Sequence, residues 1–274
     1  DADRVGAAVK NNEGEWVLLN GNQTALMFVY YLIIRWKELG KINGKEYIVK
    51  TIVTTETIKT IAERNGVEMY DVYTGFKWIA NVMRENEGKK NYIGGGEESY
   101  GFLCEDFVRD KDAVSACVIL AEIAAWAKDQ GLSLYQLLQK IYVEYGFSKE
   151  KGISVVKKGK SGAEEIEAMM KKFRENPLTE IAGSKVTYFY DYSTLKGKDY
   201  AENETVTLDM PTTSNVLQYF TEDNTKVSIR PSGTEPKIKF YCEVHSKVKS
   251  IDELPEAEKA AEEKINQIKA SLGI

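Results

Sequence analysis

Along the chain between Gly21 and about Gly146, two hydrophobic rhythms alternate. Apolar residues recur at helical spacing over Asn22–Leu39, Thr57–Arg64, Phe76–Asn86, Ala113–Lys128 and Ser133–Tyr145. Between them lie short β-branched or aromatic runs at Tyr47–Val53 and Val67–Tyr73, and a shorter one at Asn91–Ile93 before a glycine run. Strands that alternate with helices predict an α/β domain: a mainly parallel sheet covered by helices. Ahead of it, residues 5–9 and 15–19 flank Asn11-Asn12-Glu13-Gly14, which signals a hairpin at the edge of something larger.

The pattern changes after that. Residues 149–162 are rich in Lys, Gly and Ser and read as a linker. A helix is predicted at Ala163–Arg174, ended by Asn176-Pro177. Strands follow at Lys185–Tyr192, Val216–Phe220, Thr225–Ile229 and Lys237–Val244, with Asp223-Asn224 turning between two of them, and an amphipathic helix over Leu254–Leu272 closes the chain. This second part reads as a smaller α+β domain with an antiparallel sheet. The expected division is 1–20 as the remnant of a preceding domain, 21–148 as the α/β domain and 149–274 as the α+β domain.

Composition removes several function classes. A formal net charge of −5 argues against a general nucleic-acid surface. The longest apolar run, Thr24 to Ile34, is too short to span a bilayer, and no secretion signal precedes it. Cys104, Cys117 and Cys242 have no paired spacing and read as reduced packing residues of a cytoplasmic protein. The single histidine, His245, disfavours histidine-based metal or triad chemistry. The chain opens on Asp1 without a methionine, so a fragment is expected.

Three stretches carry candidate chemistry. In Arg230-Pro231-Ser232-Gly233-Thr234-Glu235-Pro236, between two strands, a planar guanidinium, two hydroxyls and a glycine that lets N–H groups approach suit a phosphate. The competing reading is a long hairpin turn with an incidental arginine. "YIGGGEESYGF" (92–102) has the glycines of a nucleotide cradle, but its spacing fails G-x-G-x-x-G and Glu97-Glu98 would repel phosphate. Carboxylates there suit sugar hydroxyls at the C-terminal end of a strand, or else form a solvated acidic turn. "DADRVG" (1–6) offers two aspartates to a hard cation such as Mg²⁺, or is a frayed terminus.

Taken in order, these stretches resemble the C-terminal half of the α-D-phosphohexomutase family, the phosphoglucomutases and phosphomannomutases. "DADR" is similar to the tail of that family's D-x-D-x-D-R magnesium loop, "GGGEESYG" to its sugar-recognition loop and "RPSGTEPKIKFY" to its phosphate-binding loop. "TGFKWI" (74–79) and "FVRDKDAV" (107–114) resemble segments around the sugar site and favour the phosphoglucomutase branch. The resemblance implies an intramolecular phosphotransferase that interconverts hexose 1-phosphate and hexose 6-phosphate through a phosphoserine enzyme and a hexose 1,6-bisphosphate intermediate. It implies that Arg230, Ser232, Gly233 and Thr234 hold the non-reacting phosphate, that Glu97 and Ser99 hold ring hydroxyls, and that Asp1 and Asp3 ligate Mg²⁺. Arg4 would lie near the transferring phosphoryl group, with Lys111 and Lys77 as further contacts to the sugar or to proton transfer. Lys111 has a plainer reading, pairing with Asp110 or Asp112 to cap its loop. No T-A-S-H-N-P-like serine segment occurs in these residues, so the polypeptide is expected to lack its N-terminal domains and to be inactive by itself. The alternative is a self-standing sugar-phosphate binding or regulatory module.

Overall fold

The computed structural model describes residues 2–157, 159–233 and 235–274. It divides into two compact units, one running to Phe147 and including Val248–Asp252, the other comprising Ser148–Lys247 and Glu253–Ile274.

The first unit opens with an antiparallel hairpin, β1 (Ala7–Lys10) and β2 (Trp16–Leu19). The turn is built by Asn11, whose Oδ1 accepts from the N–H groups of Glu13 and Glu15. Then follow α1 (Gly21–Glu38), β3 (Glu46–Thr51), α2 (Thr57–Arg64), β4 (Glu68–Val72), α3 (Phe76–Asn86), β5 (Asn91–Gly96), β6 (Phe102–Cys104), α4 (Ala113–Asp129) and α5 (Leu134–Tyr145). The sheet order is β4-β3-β5-β6, with β3 parallel to β4 and β5, and β6 antiparallel at the edge. One face buries Tyr47, Val49, Val72, Tyr92 and Leu103 with Phe76, Ile79 and Met83 of α3. On β6 the neighbouring Phe102 turns the other way and stacks on Phe28 of α1, ring centroids 4.5 Å apart, as the alternation of a strand requires. Helix α1 starts with a reciprocal capping box between Asn20 and Gln23.

Here the structure corrects one expectation. The glycines 94–96 continue β5 instead of forming a loop after it. Packing is the reason: a Cβ on Gly95 would lie 2.3 Å from the Val49 carbonyl oxygen, and one on Gly96 2.6 Å from the Phe102 ring. These glycines serve close strand packing, and the segment that leaves the sheet begins at Glu97.

The second unit contains β7 (Phe147–Val156), α6 (Gly159–Glu175), β8 (Glu180–Ile181), β9 (Ser184–Asp191), β10 (Lys196–Asp199), β11 (Glu204–Thr207), β12 (Leu217–Thr221), β13 (Lys226–Pro231), β14 (Lys237–Ser246) and α7 (Leu254–Leu272). Its sheet runs β11-β10-β9-β12-β13-β14-β7, with β8 paired to β9. The β9–β12, β12–β13 and β13–β14 pairs are antiparallel. Ile265 and Ile268 of α7 and Met170 and Phe173 of α6 are buried in its core. The expected linker at 149–162 is instead strand β7 followed by the first turn of α6. Its lysines belong to an edge strand: Lys149 and Lys151 reach Glu258 and Glu262 on α7, and charged residues are what a sheet edge carries. Strands β10 and β11, "KGKD" and "ETVT", lack the apolar alternation that marks a strand in sequence.

Candidate functional site

In the first unit, β3, β4 and β5 run parallel and end together, so the segments that follow them meet at one rim. Two of these segments build the candidate site. Glu97, the first residue after β5, is only 8% exposed. Its Oε1 accepts from the backbone N–H of Gly75 at 2.7 Å, and its own N–H donates to the Gly101 carbonyl at 2.8 Å, closing the 97–101 turn. Gly75 sits at φ +110°, where a side chain would be strained, so the glycine is what lets this N–H face the carboxylate. Gly101 is a second constriction. A Cβ there would lie 2.8 Å from Cδ of Lys111 and 3.3 Å from Oε2 of Glu97, so the lysine stem and the carboxylate flank the same glycine.

Lys111 in turn reaches back to the start of the chain. Its Nζ is 3.1 Å from Oδ2 of Asp3 and 3.0 Å from Asp110. Of its two expected loop partners, Asp110 is the one it pairs with. Asp112 caps α4, accepting from the N–H groups of Val114 and Ser115. The hydrogen bond from Lys111 lowers the pKa of Asp3. Burial disfavours the charge on Lys111, but Asp110 and Asp3 outweigh it and raise its pKa. The 2–6 segment is fixed by two further bonds, Val5 N–H to the Tyr100 carbonyl and Ala113 N–H to the Ala2 carbonyl, each 3.1 Å. Asp3 is thereby brought from the start of the chain to Lys111, whose stem flanks Gly101 and Glu97.

The other candidates fall around this core. Arg4 is 61% exposed and 3.9 Å from Asp3. Ser99 is exposed at the tip of the turn. Lys77 is exposed on α3 with its ammonium 5.0 Å from the Trp78 ring centroid. Asp1 lies outside the described residues. Among the described residues no three His, Cys, Asp or Glu side chains cluster to hold a metal ion, and the carboxylate of Asp3 is taken by Lys111.

In the second unit, Arg230 and Pro231 belong to β13, opposite Lys239 and Ile238 of β14, so the connecting loop is shorter than the sequence suggests. The Ser232 N–H donates to the Lys237 carbonyl at 2.8 Å, and Ser232 Oγ accepts from the Glu235 N–H at 3.3 Å. Lys237 is ion-paired with Glu235. Arg230 is half-buried and makes no ion pair among the described residues. A Cβ on Gly233 would meet nothing within 4 Å, and its φ is outside the left-handed region. Neither packing nor backbone conformation demands a glycine there. Thr234 lies outside the described residues.

The residues that sequence reasoning missed are those that hold the named ones. Gly75 fixes Glu97; the sequence marks it as a glycine directly before a helix, inside the "TGFKWI" segment, without showing which residue it holds. The Asp3–Lys111 pair had no trace at all.

The parallel-sheet unit carries a buried carboxylate at its rim, and the antiparallel unit that follows it carries an arginine-bearing hairpin. The chain belongs to the α-D-phosphohexomutase family and carries its C-terminal part. Residues 20–145 match the family described as phosphoglucomutase/phosphomannomutase, alpha/beta/alpha domain III, and residues 154–261 match the phosphoglucomutase/phosphomannomutase C-terminal domain. The chain is 38% identical over 241 residues to a phosphoglucomutase of Staphylococcus aureus (strain MRSA252), covering 88% of this chain and 43% of that protein. It is 33% identical over 245 residues to a phosphoglucomutase of Staphylococcus haemolyticus, covering 89% and 44%. It thus spans less than half the length of these curated relatives. In fold it is similar to the Paramecium phosphoglucomutase pp63/parafusin in its open form (TM-score 0.59, 17% identity, 97% of this chain and 44% of that one). It is also similar to a phosphoglucomutase/phosphomannomutase family protein of Burkholderia thailandensis (TM-score 0.57, 17% identity, 100% and 45%).

Proposed function

We propose that this chain supplies sugar and phosphate recognition to a cytoplasmic phosphoglucomutase or phosphomannomutase. In the whole enzyme a phosphoserine donates its phosphoryl group to the free hydroxyl of a hexose monophosphate. The hexose 1,6-bisphosphate so formed reorients, and the other phosphate is returned to the serine. Bound substrate must be accepted in two orientations, so the contacts have to grip a phosphate and a hydroxylated ring without reading either end uniquely. Glu97 and Ser99 accept ring hydroxyls, and Lys77 stands as a further polar contact. Arg230 contributes its planar fork of donors to the non-reacting phosphate, with Ser232, Gly233 and Thr234 adding hydroxyl and backbone donors. Arg4 contributes positive charge near the transferring phosphoryl group, where developing charge needs stabilising, and Lys111 serves as a further contact to the sugar or to proton transfer.

The observation that carries this reading is the state of Glu97: a nearly buried carboxylate with one oxygen fixed by the Gly75 N–H, and the other beside Gly101 and the stem of Lys111. A solvated acidic turn would not need a backbone donor aimed at it. The resemblance also implies Mg²⁺ at Asp1 and Asp3. The described residues do not make that site: Asp3 offers one carboxylate, and Lys111 already neutralises it.

Calorimetric titration of the chain with glucose 1-phosphate, glucose 6-phosphate and inorganic phosphate tests the reading. Both hexose phosphates should bind more tightly than inorganic phosphate; equal affinities would overturn it. The 274-residue chain alone should show no mutase turnover in a coupled assay, since these residues contain no serine-loop segment. Turnover that survives purification and is lost on Arg230→Ala would refute that expectation.

A further inference from the structure

Beneath the rim that carries Glu97 lies a buried charge that no part of the sugar and phosphate chemistry accounts for. Lys50, near the C-terminal end of β3, is only 1% exposed in its side chain. Its Nζ donates to Oδ1 of Asp71 on β4 at 2.6 Å, to Oε1 of Glu56 at 2.9 Å and to the Thr54 carbonyl at 3.4 Å. In register, Lys50 stands between Asp71 on one neighbouring strand and Gly96 on the other, and Gly96 immediately precedes Glu97. A lysine buried in the middle of a parallel sheet costs desolvation of its ammonium, and only well-placed oxygens offset that cost.

We propose that Lys50 is a positioning residue for the 97–101 turn, acting by clamping the loop at 52–56 onto the rim. The inference rests on the reading of that turn as the sugar-recognition element. Lys50 holds both the Thr54 carbonyl and the Glu56 carboxylate, so it fixes that loop at two points against β4. The loop then does two things. The Thr54 hydroxyl is 2.8 Å from the hydroxyl of Thr51, and Thr51 Oγ1 donates to Oε2 of Glu98 at 3.4 Å. The Thr55 N–H donates to Oδ1 of Asn22 at 3.0 Å, which ties the loop to the first turn of α1. That same first turn bears on the sugar segment: a Cβ on Gly21 would lie 2.0 Å from the carbonyl oxygen of Glu98 and 2.7 Å from the Tyr100 nitrogen. Two routes thus connect the ammonium to residues 98–100, one through Thr51 and one through α1, and both pass through the loop it holds.

Because the ammonium touches no residue assigned to the substrate, its effect should be read in the order of the turn. Lys50→Met removes the bonds to Asp71, Glu56 and Thr54; Glu56→Gln removes the charge of one partner and leaves Asp71 paired, so it keeps a folded protein if Lys50→Met does not fold. Thr51→Val cuts the first route without touching Lys50. Amide hydrogen exchange, read by mass spectrometry on the 274-residue chain, should accelerate roughly tenfold or more at 97–101 in Lys50→Met or Glu56→Gln, while α3 and the second unit exchange as in the parent. Glucose 1-phosphate affinity should fall by roughly tenfold while inorganic phosphate affinity is retained, and Lys50→Arg should restore part of both. Unchanged exchange at 97–101 in a folded Glu56→Gln and Thr51→Val would overturn the clamp, whatever the binding data. If exchange rises but the parent itself does not distinguish glucose 1-phosphate from inorganic phosphate, the sugar reading fails and the clamp stands.

Discussion

Glu97→Gln isolates the chemistry of the site with little change of shape. The glutamine carbonyl can take the place of Oε1 and keep the 2.7 Å bond from the Gly75 N–H. The 97–101 turn keeps its backbone bond from the Glu97 N–H to the Gly101 carbonyl. What is lost is the second carboxylate oxygen, replaced by an NH₂ that donates instead of accepting. A hydrogen bond to a charged group contributes about 1.5–3 kcal/mol and a neutral one about 0.5–1.5 kcal/mol. The exchange should therefore cost about 1–1.5 kcal/mol, or roughly a tenfold loss of affinity for glucose 1-phosphate. The loss stays at that level because a ring hydroxyl can rotate to accept from the new amide. Inorganic phosphate has no ring hydroxyl to present, so its affinity should be unchanged. Paired calorimetric titrations check this. Undiminished glucose 1-phosphate binding, or an equal loss for both ligands, would refute the assignment of Glu97 to the sugar.

Arg230→Ala should weaken glucose phosphate binding by about 1.5–3 kcal/mol, and Arg230→Lys should recover only part because an ammonium lacks the fork; a titration in which the alanine variant binds like the parent excludes this role. Lys226 and Glu243 form a buried pair 2.9 Å apart across β13 and β14, so Lys226→Met should destabilise the second unit by about 3–5 kcal/mol. Lys226→Met with Glu243→Met should recover most of that loss in chemical denaturation, and no recovery would count against an uncompensated charge as the cause. His245 lies 2.8 Å from the same carboxylate; burial opposes its charge, but Glu243 outweighs it and holds the pKa above the ordinary 6.5. The stability this gives is complete below pH 6.5 and lost as pH rises through the higher folded value. Melting temperature should fall with rising pH across that window, and His245→Gln should flatten the slope; an unchanged slope would exclude the pair as its source.

The elements with strong local signals could be read from sequence, and with them both fold classes. Helix α2 and helix α3 end where apolar periodicity ends, and α7 announces itself by Pro255 near its start and Gly273, at φ +71°, after its end. The candidate loops were legible in part: their charges and prolines interrupt those patterns, but Gly94–Gly96 and Arg230-Pro231 belong to strands. What sequence could not supply was anything set by neighbours across the sheet. Whether Gly95 belongs to a loop or a strand depends on the Val49 carbonyl beside it, and whether Lys149 and Lys151 mark a linker or an edge strand depends on Glu258 and Glu262. The pairing of Lys111 with Asp3, the N–H of Gly75 aimed at Glu97 and the ammonium of Lys50 among Thr54, Glu56 and Asp71 join residues separated by whole helices or held in a tight turn. Local propensity says nothing about such contacts. The contact of Gly75 with Glu97 exists because parallel strands end at a common rim, and the others likewise form only where the folded unit brings the chain back.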